Sequence, residues 1–242
     1  MKNYKPNWPL APIQRALAAT FLIASPVWAQ TASVLPSDAA TLAPITVQSS
    51  TAPLQADVSG FGDLPLREVP MSITVVGQEQ LQASGARRLA DLTQFDASLG
   101  DAYNSAGYWD YLSIRGFTLD NRFNYRREGL PISAETSIPL DNKERVEILK
   151  GTSGIQVGTS APGGLVNFVV KRPTPQNMRD VRLEATSRGS LLAAVDLGGR
   201  AGVDQVFGYR FNVAQERLRP RTFNLDGERS LVALATDWRI NR

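Results

Sequence analysis

One stretch constrains this chain more than any other. Residues 139–173 read PLDNKERVEILKGTSGIQVGTSAPGGLVNFVVKRP, an acid/base-alternating strand, a glycine-rich turn and a second, almost uncharged strand. Val146, Ile148 and Leu149 mark the first strand, Gly151 to Gly164 give tight irregular backbone, and the β-branched run Leu165 to Val170 closes before Pro173. Two such strands joined by that turn predict a sheet.

Composition removes whole classes of chemistry. There is no cysteine and no histidine. Disulfides, thiol nucleophiles, iron–sulfur clusters, Cys/His zinc sites and Ser-His-Asp catalysis are therefore excluded. The formal charge of +3 comes from the first 29 residues, which carry Lys2, Lys5 and Arg15 and no acid; the basic residues of the remainder equal the 23 acidic ones, so no nucleic-acid partner is expected. That basic start, the apolar stretch Ala16 to Ile23 running on to Val27, and Val27 and Ala29 at the −3 and −1 positions predict an export signal, 1–29, cleaved after Ala29. Pro26 and the polar residues after Ala29 stop the apolar run short of the roughly 20 residues a membrane helix needs.

Residues 30–60 are rich in Ala, Ser, Thr, Pro and Gln and predict a flexible N-terminus, with one β-prone island at 43–48, Ala43-Pro44-Ile45-Thr46-Val47-Gln48. From Val69 the pattern becomes that of a packed domain. A strand is expected over Met71 to Val76, then helical stretches at Gln78 to Gln82 and Arg88 to Phe95 with Leu81, Leu89, Leu92 and Phe95 inward. Asp110 to Phe117 reads as a short strand carrying Arg115 among apolar neighbours, and Asn124 to Pro131 as a turn and strand. Beyond Pro173 the segments become amphipathic. Val181, Leu183 and Ala185 share one face; so do Phe207, Tyr209, Phe211 and Val213, and Val232, Leu234, Thr236 and Trp238, with Leu191 to Leu197 a less regular fourth segment.

Residues 43–173 resemble the plug region of TonB-dependent outer-membrane siderophore receptors. The resemblance rests on VPMSITVVGQEQLQASGARRLADLTQ, IRGF, FNYRREGLP, ERVEILKG and SAPGGLVNFVVKRP. It implies an α+β plug domain at 61–173, followed at 174–242 by the first strands of an antiparallel transmembrane β-barrel, truncated in this chain. About four segments follow the plug, against about 8 strands in the smallest single-chain outer-membrane barrels and about 22 in plugged transporters. The chain alone is thus expected to be unable to act as a channel. The resemblance further implies a transporter and not an enzyme, no cofactor, and a ferric siderophore as the transported ligand. The partners it implies are TonB with its inner-membrane energising complex, and outer-membrane lipid. Ile45, Thr46 and Val47 match the TonB box. Arg115 and Arg145 match plug arginines that pair with barrel glutamates; for both, a nearby acid within the plug, such as Glu147, is the competing assignment. Substrate contacts are expected from the loops flanking IRGF: Tyr103, Tyr108 and Trp109 before it, Arg122, Phe123 and Tyr125 after it. Exposed rings with a guanidinium suit a bulky, oxygen-rich metal chelate.

Two tempting motifs have plainer readings. GIQVGTS at 154–160 has no lysine before its Thr-Ser pair and is not a phosphate-binding loop. Asp141, Glu144 and Glu147 alternate with Lys143, Arg145 and Lys150, which predicts an ion-pair network rather than paired-carboxylate catalysis. The rival to a transporter is a periplasmic plug-like binding or interaction module that never enters a membrane; alternating strands beyond Arg242 would decide between them.

Overall fold

The computed structural model describes residues 55–60, 64–103, 109–152, 158, 160–220 and 222–240, all within one compact unit spanning 49–242. The expected export signal, Ile45, Thr46, Val47 and Tyr108 lie outside the described residues.

The plug is built on a mixed five-stranded sheet. Strands β1 (Ser72–Gly77), β7 (Lys143–Lys150), β8 (Gly164–Val170), β5 (Tyr125–Arg127) and β6 (Leu130–Pro131) follow one another in that order across it. All neighbours are antiparallel except β5 and β8, which run parallel. The central strands β7 and β8 are the two of the opening stretch, and every residue of β8 up to Val169 is buried, as its lack of charge requires. Gly164 is obligatory here. At φ 139° it lies so close to β7 that a Cβ would meet the carbonyl oxygen of Leu149 at 1.9 Å.

Apolar side chains pack on both faces of this sheet. On one, Val146, Ile148, Val166, Phe168, Tyr125 and Val76 meet Leu81, Leu89, Leu92, Leu112 and Ile114. These last come from α1 (Gln78–Ala83), from a 3-10 turn at Leu89–Gln94, and from a three-stranded sheet of β2 (Leu99–Asp101), β3 (Leu112–Ile114) and β4 (Phe117–Thr118). The second expected helix is thus only a tightened turn: the Asp91 carboxylate accepts the amides of Arg87 and Arg88 at 2.9 Å and caps a segment too short for a regular helix. On the other face Leu149 and Leu165 are covered by Ala56 and Val58, with Leu66, Met71, Ile73 and Val75 around them.

The IRGF and REGLP motifs turn out to be two hairpins of one design. Arg115-Gly116 joins β3 to β4, and Glu128-Gly129 joins β5 to β6. All four residues have positive φ, at 52°, 85°, 51° and 76°, the pairing of left-handed residues that two-residue type I′ turns demand. Arg115 is therefore at a hairpin tip and exposed, not inside a strand as expected from its apolar neighbours.

Past Pro173 the chain forms an antiparallel meander of β9 (Met178–Ala185), β10 (Leu191–Ala201), β11 (Phe207–Leu218) and β12 (Gly227–Trp238), ordered as in the sequence. The outward face carries Val181, Leu183, Val232, Leu234 and Trp238, each between 67 and 76% exposed. On the opposite face, strand period two places Arg182, Glu184, Asp196, Arg210, Asn212 and Glu216 against the plug.

Candidate functional site

Two assemblies carry the candidate chemistry, one in the loops of the plug and one between plug and wall. In the loops, the connection from β2 to β3 gathers Tyr103, Trp109 and Tyr111. Their ring centroids lie 6.1 to 6.4 Å apart, with Trp109 edge-on to both tyrosines. Tyr111 was not among the expected ligand contacts, although it stands two residues from Trp109 in the same aromatic run. Between β4 and β5, Arg122 is exposed, lies 5.1 Å over the ring of Phe123 and pairs with Asp120 at 3.0 Å. The guanidinium holds the Asp120 carboxyl below its usual range. The Asn124 side chain ties this loop down, donating to the carbonyls of Ala161 at 2.9 Å and Gly164 at 2.5 Å.

Tyr125 does not belong to this group. It is fully buried in the core, and burial pushes its phenol well above the ordinary value, so it packs the sheet rather than facing a ligand. The reason is register: Tyr125 opens β5 and pairs directly with Val166 of the buried strand β8. Deeper in the same region, burial raises the Asp110 carboxyl above its usual value, and the nearby Arg88, 3.4 Å away, only partly opposes this.

The two arginines expected to pair with barrel glutamates differ in their surroundings among the described residues. Arg145 pairs inside the plug, with Glu147 at 2.8 Å and Asp57 at 2.9 Å, which is the nearer assignment. Arg115, exposed at its hairpin tip, has no burial penalty to offset, and no ion pair to it occurs among the described residues.

Other plug residues make the contact with the wall. Arg87 reaches both Glu184 of β9 and Glu216 of β11. Burial works against the charge of Arg87, but the two carboxylates outweigh it and raise its pKa. Asp141 accepts from Arg182 of β9 at 3.0 Å and from Arg229 of β12, and Arg229 also binds Glu216 at 2.6 Å. Lys171, where the plug ends, donates to Asp196 of β10 at 2.8 Å; Asp196 also receives Arg210 at 2.6 Å and the amide of Asn212. The result is an alternating lattice in which each plug charge meets opposite charge on the wall. Two signals could have found it. The wall strands carry charge on the face opposite their apolar stripe, which requires counter-charges inside, and Asp141 stands just before β7 where the plug sheet ends.

Residues 65–165 match the family model of the TonB-dependent receptor plug domain. The chain is 27% identical over 237 residues to the ferrichrome outer membrane transporter/phage receptor of Escherichia coli K12, covering 92% of this chain and 32% of that protein. It is 23% identical over 197 residues to the ferrioxamine B receptor of Salmonella typhimurium, covering 78% of this chain and 28% of the receptor. Among solved structures, the ferric preacinetobactin receptor of Acinetobacter baumannii superposes with a TM-score of 0.70 at 22% identity, over 77% of this chain and 28% of that one. The match identifies a TonB-dependent receptor plug domain at residues 65–165, and the likeness to these receptors runs on into the strands that follow it. The chain spans about a third of the length of the curated relatives it matches.

Proposed function

We propose that this chain is the N-terminal part of a TonB-dependent outer-membrane transporter of ferric siderophores. One observation carries the reading above the rest: a folded plug sits through an ionic lattice on a sheet whose far face is apolar. That is the arrangement a barrel wall needs, lipid outside and a movable plug inside. A periplasmic module would instead leave Val181, Leu183, Val232, Leu234 and Trp238 in water, a contiguous apolar surface without a purpose.

The ligand class rests on what the relatives carry in their names and on the loop chemistry. Tyr103, Trp109 and Tyr111 offer stacking area, and Arg122 with Phe123 offers a cation beside a ring. Such a surface recognises an iron chelate by shape and acidic oxygens without touching the metal. Export follows cleavage after Ala29, and Ile45-Thr46-Val47 adds to TonB as a strand.

The test is made in the complete receptor. Ile45→Pro removes an amide and the extended geometry, so binding of the iron chelate should persist while energised uptake stops. Trp109→Ala should do the converse, weakening binding by roughly tenfold as about 1.4 kcal/mol of stacking is lost. Undiminished uptake with Ile45→Pro removes the TonB-box assignment; unchanged affinity with Trp109→Ala removes the aromatic cluster from the ligand site.

A further inference from the structure

The second face of the plug sheet is closed by a strap. Residues 55–60 lie across β7 and β8, burying Ala56 and Val58 on Leu149 and Leu165. The strap is fastened by one side chain. Glu147, in the middle of β7 and fully buried, accepts the amide of Asp57 at 3.1 Å and of Val58 at 2.9 Å, one on each carboxylate oxygen. The same two oxygens accept Arg145 Nε at 2.8 Å and Asn167 Nδ2 at 2.9 Å. Arg145 then reaches on to the Asp57 carboxylate at 2.9 Å, closing the clasp from outside.

We propose that Glu147 is a release clasp for residues 55–71, and that its opening is the first event when the N-terminal segment is drawn away from the plug. The chemistry suits a contact made to be undone. Half of the hydrogen bonds to Glu147 come from the plug itself, so the carboxylate keeps Arg145 and Asn167 when the strap leaves and is not left as an unpaired buried charge. The strap holds through two amides, the outer Asp57–Arg145 pair and two small apolar side chains, with partly buried Leu66 and Met71 beside them, whereas β1, the next anchor along the chain, is paired with β7 over its whole length, Ser72 to Gly77. A pull from the N-terminal side therefore meets the weaker attachment first. Its release frees residues 56–71, roughly 55 Å of chain when extended. It also strips Ala56, Val58, Leu66 and Met71 from Leu149 and Leu165, leaving Ile73 and Val75 of β1 as their apolar neighbours before any strand has parted. The role in transport rests on the TonB reading above; the clasp itself does not, and the two fail separately.

Hydrogen–deuterium exchange on the intact chain tests the clasp without TonB. Amides at 57–58 should exchange at least about tenfold more slowly than in a free peptide. Glu147→Gln turns an amide donor toward one strap N–H and should remove most of that protection, while residues 164–170 of β8 keep theirs. Asp57→Asn, which loosens only the outer pair to Arg145, should give a smaller acceleration of about twofold. The chain lacks cysteine, so Ser49→Cys supplies a unique handle for pulling against the C-terminal end. The first length gain should match release of 56–71 and should occur at lower force in Glu147→Gln. Unprotected strap amides in the unaltered chain, equal acceleration of strap and β8 by Glu147→Gln, or a first event insensitive to Glu147→Gln would each overturn the proposal.

Discussion

The inside of the plug and the seam between plug and wall are held by different forces. Between β7, β8 and the layer above them lie Val146, Ile148, Val166 and Phe168, all without solvent exposure. Along the seam lie Arg87, Asp141 and Lys171 against Glu184, Glu216, Arg182, Arg229 and Asp196. Apolar burial resists any separation of its surfaces because each exposed methylene costs about 0.8 kcal/mol. A buried ion pair, by contrast, contributes little net free energy once desolvation is counted, and its groups are content in water. The difference teaches that water can open the seam at lower cost than it can open the apolar core. Water entering the seam can hydrate what it separates.

The sharpest way to break the comparison is to excavate the core. Phe168→Ala removes the largest apolar side chain of β8 from a site with no exposure and should destabilise the plug by about 3–5 kcal/mol. Urea denaturation followed by circular dichroism measures it. The loss should be the same at low and high salt. A strongly salt-dependent loss would mean that plug folding and seam formation are one process.

Next in size is the seam. Asp141→Asn keeps the shape but leaves Arg182 and Arg229 short of a carboxylate, a change expected to weaken plug–wall docking by about 2 kcal/mol. A double-mutant cycle with Arg182→Met should recover part of this, since removing the stranded charge relieves its burial. Limited proteolysis near Thr174 reads the docking. Equal damage to the urea midpoint of the plug would contradict a separable seam.

How much of this was legible in the chain depends on range. The wall strands follow from period two alone, and the outward stripe from Val181 to Trp238 falls where the alternation puts it. The pairing of β7 with β8 was likewise visible, because one glycine-rich turn joins them. What escaped was either unusual turn chemistry or contact over long separation. Arg115-Gly116 and Glu128-Gly129 make type I′ turns without the Asn-Gly signature, so Arg115 passed for a strand residue. Tyr125 sits beside exposed Arg122 and Phe123 in sequence, yet its burial is decided by Val166, far along the chain. Arg87 meets Glu184 and Glu216 across 97 and 129 residues, a pairing no local pattern encodes.

A third experiment probes a charge that the core has captured. Lys143 is almost fully buried, 5.8 Å above the ring of Phe168; desolvation chiefly, helped by Arg127 and Lys171, lowers its pKa to about 8. Between pH 8 and the unfolded value near 10.5, the unfolded chain holds a proton the folded one has released, so stability contributed through this group rises with pH across that window. Lys143→Met should abolish that rise and stabilise the plug at pH 7 by about 1–2 kcal/mol. A slope that persists in the variant would assign it to other groups.

The smallest expected effect has the same sign in pH but falls at the acid end, and it lies at the edge of the plug, where polar contacts meet solvent. Asp96 is partly buried, which by itself would raise its pKa; Lys150 at 2.6 Å, Thr74 Oγ1 at 2.5 Å and the amide and hydroxyl of Ser98 outweigh that and hold the carboxyl well below the usual range. A depressed folded pKa means the contribution is fully present above the unfolded value near 3.9 and is lost as pH falls through the folded one. Asp96→Asn should therefore cost about 1 kcal/mol at pH 7, the scale of a solvent-screened pair, and nothing further on acidification. If the seam is the acid-labile part, the unaltered chain should lose its plug–wall protection to proteases at a higher pH than it loses the circular dichroism of the plug. Simultaneous loss of the two would show that the ionic seam and the apolar core are a single cooperative unit.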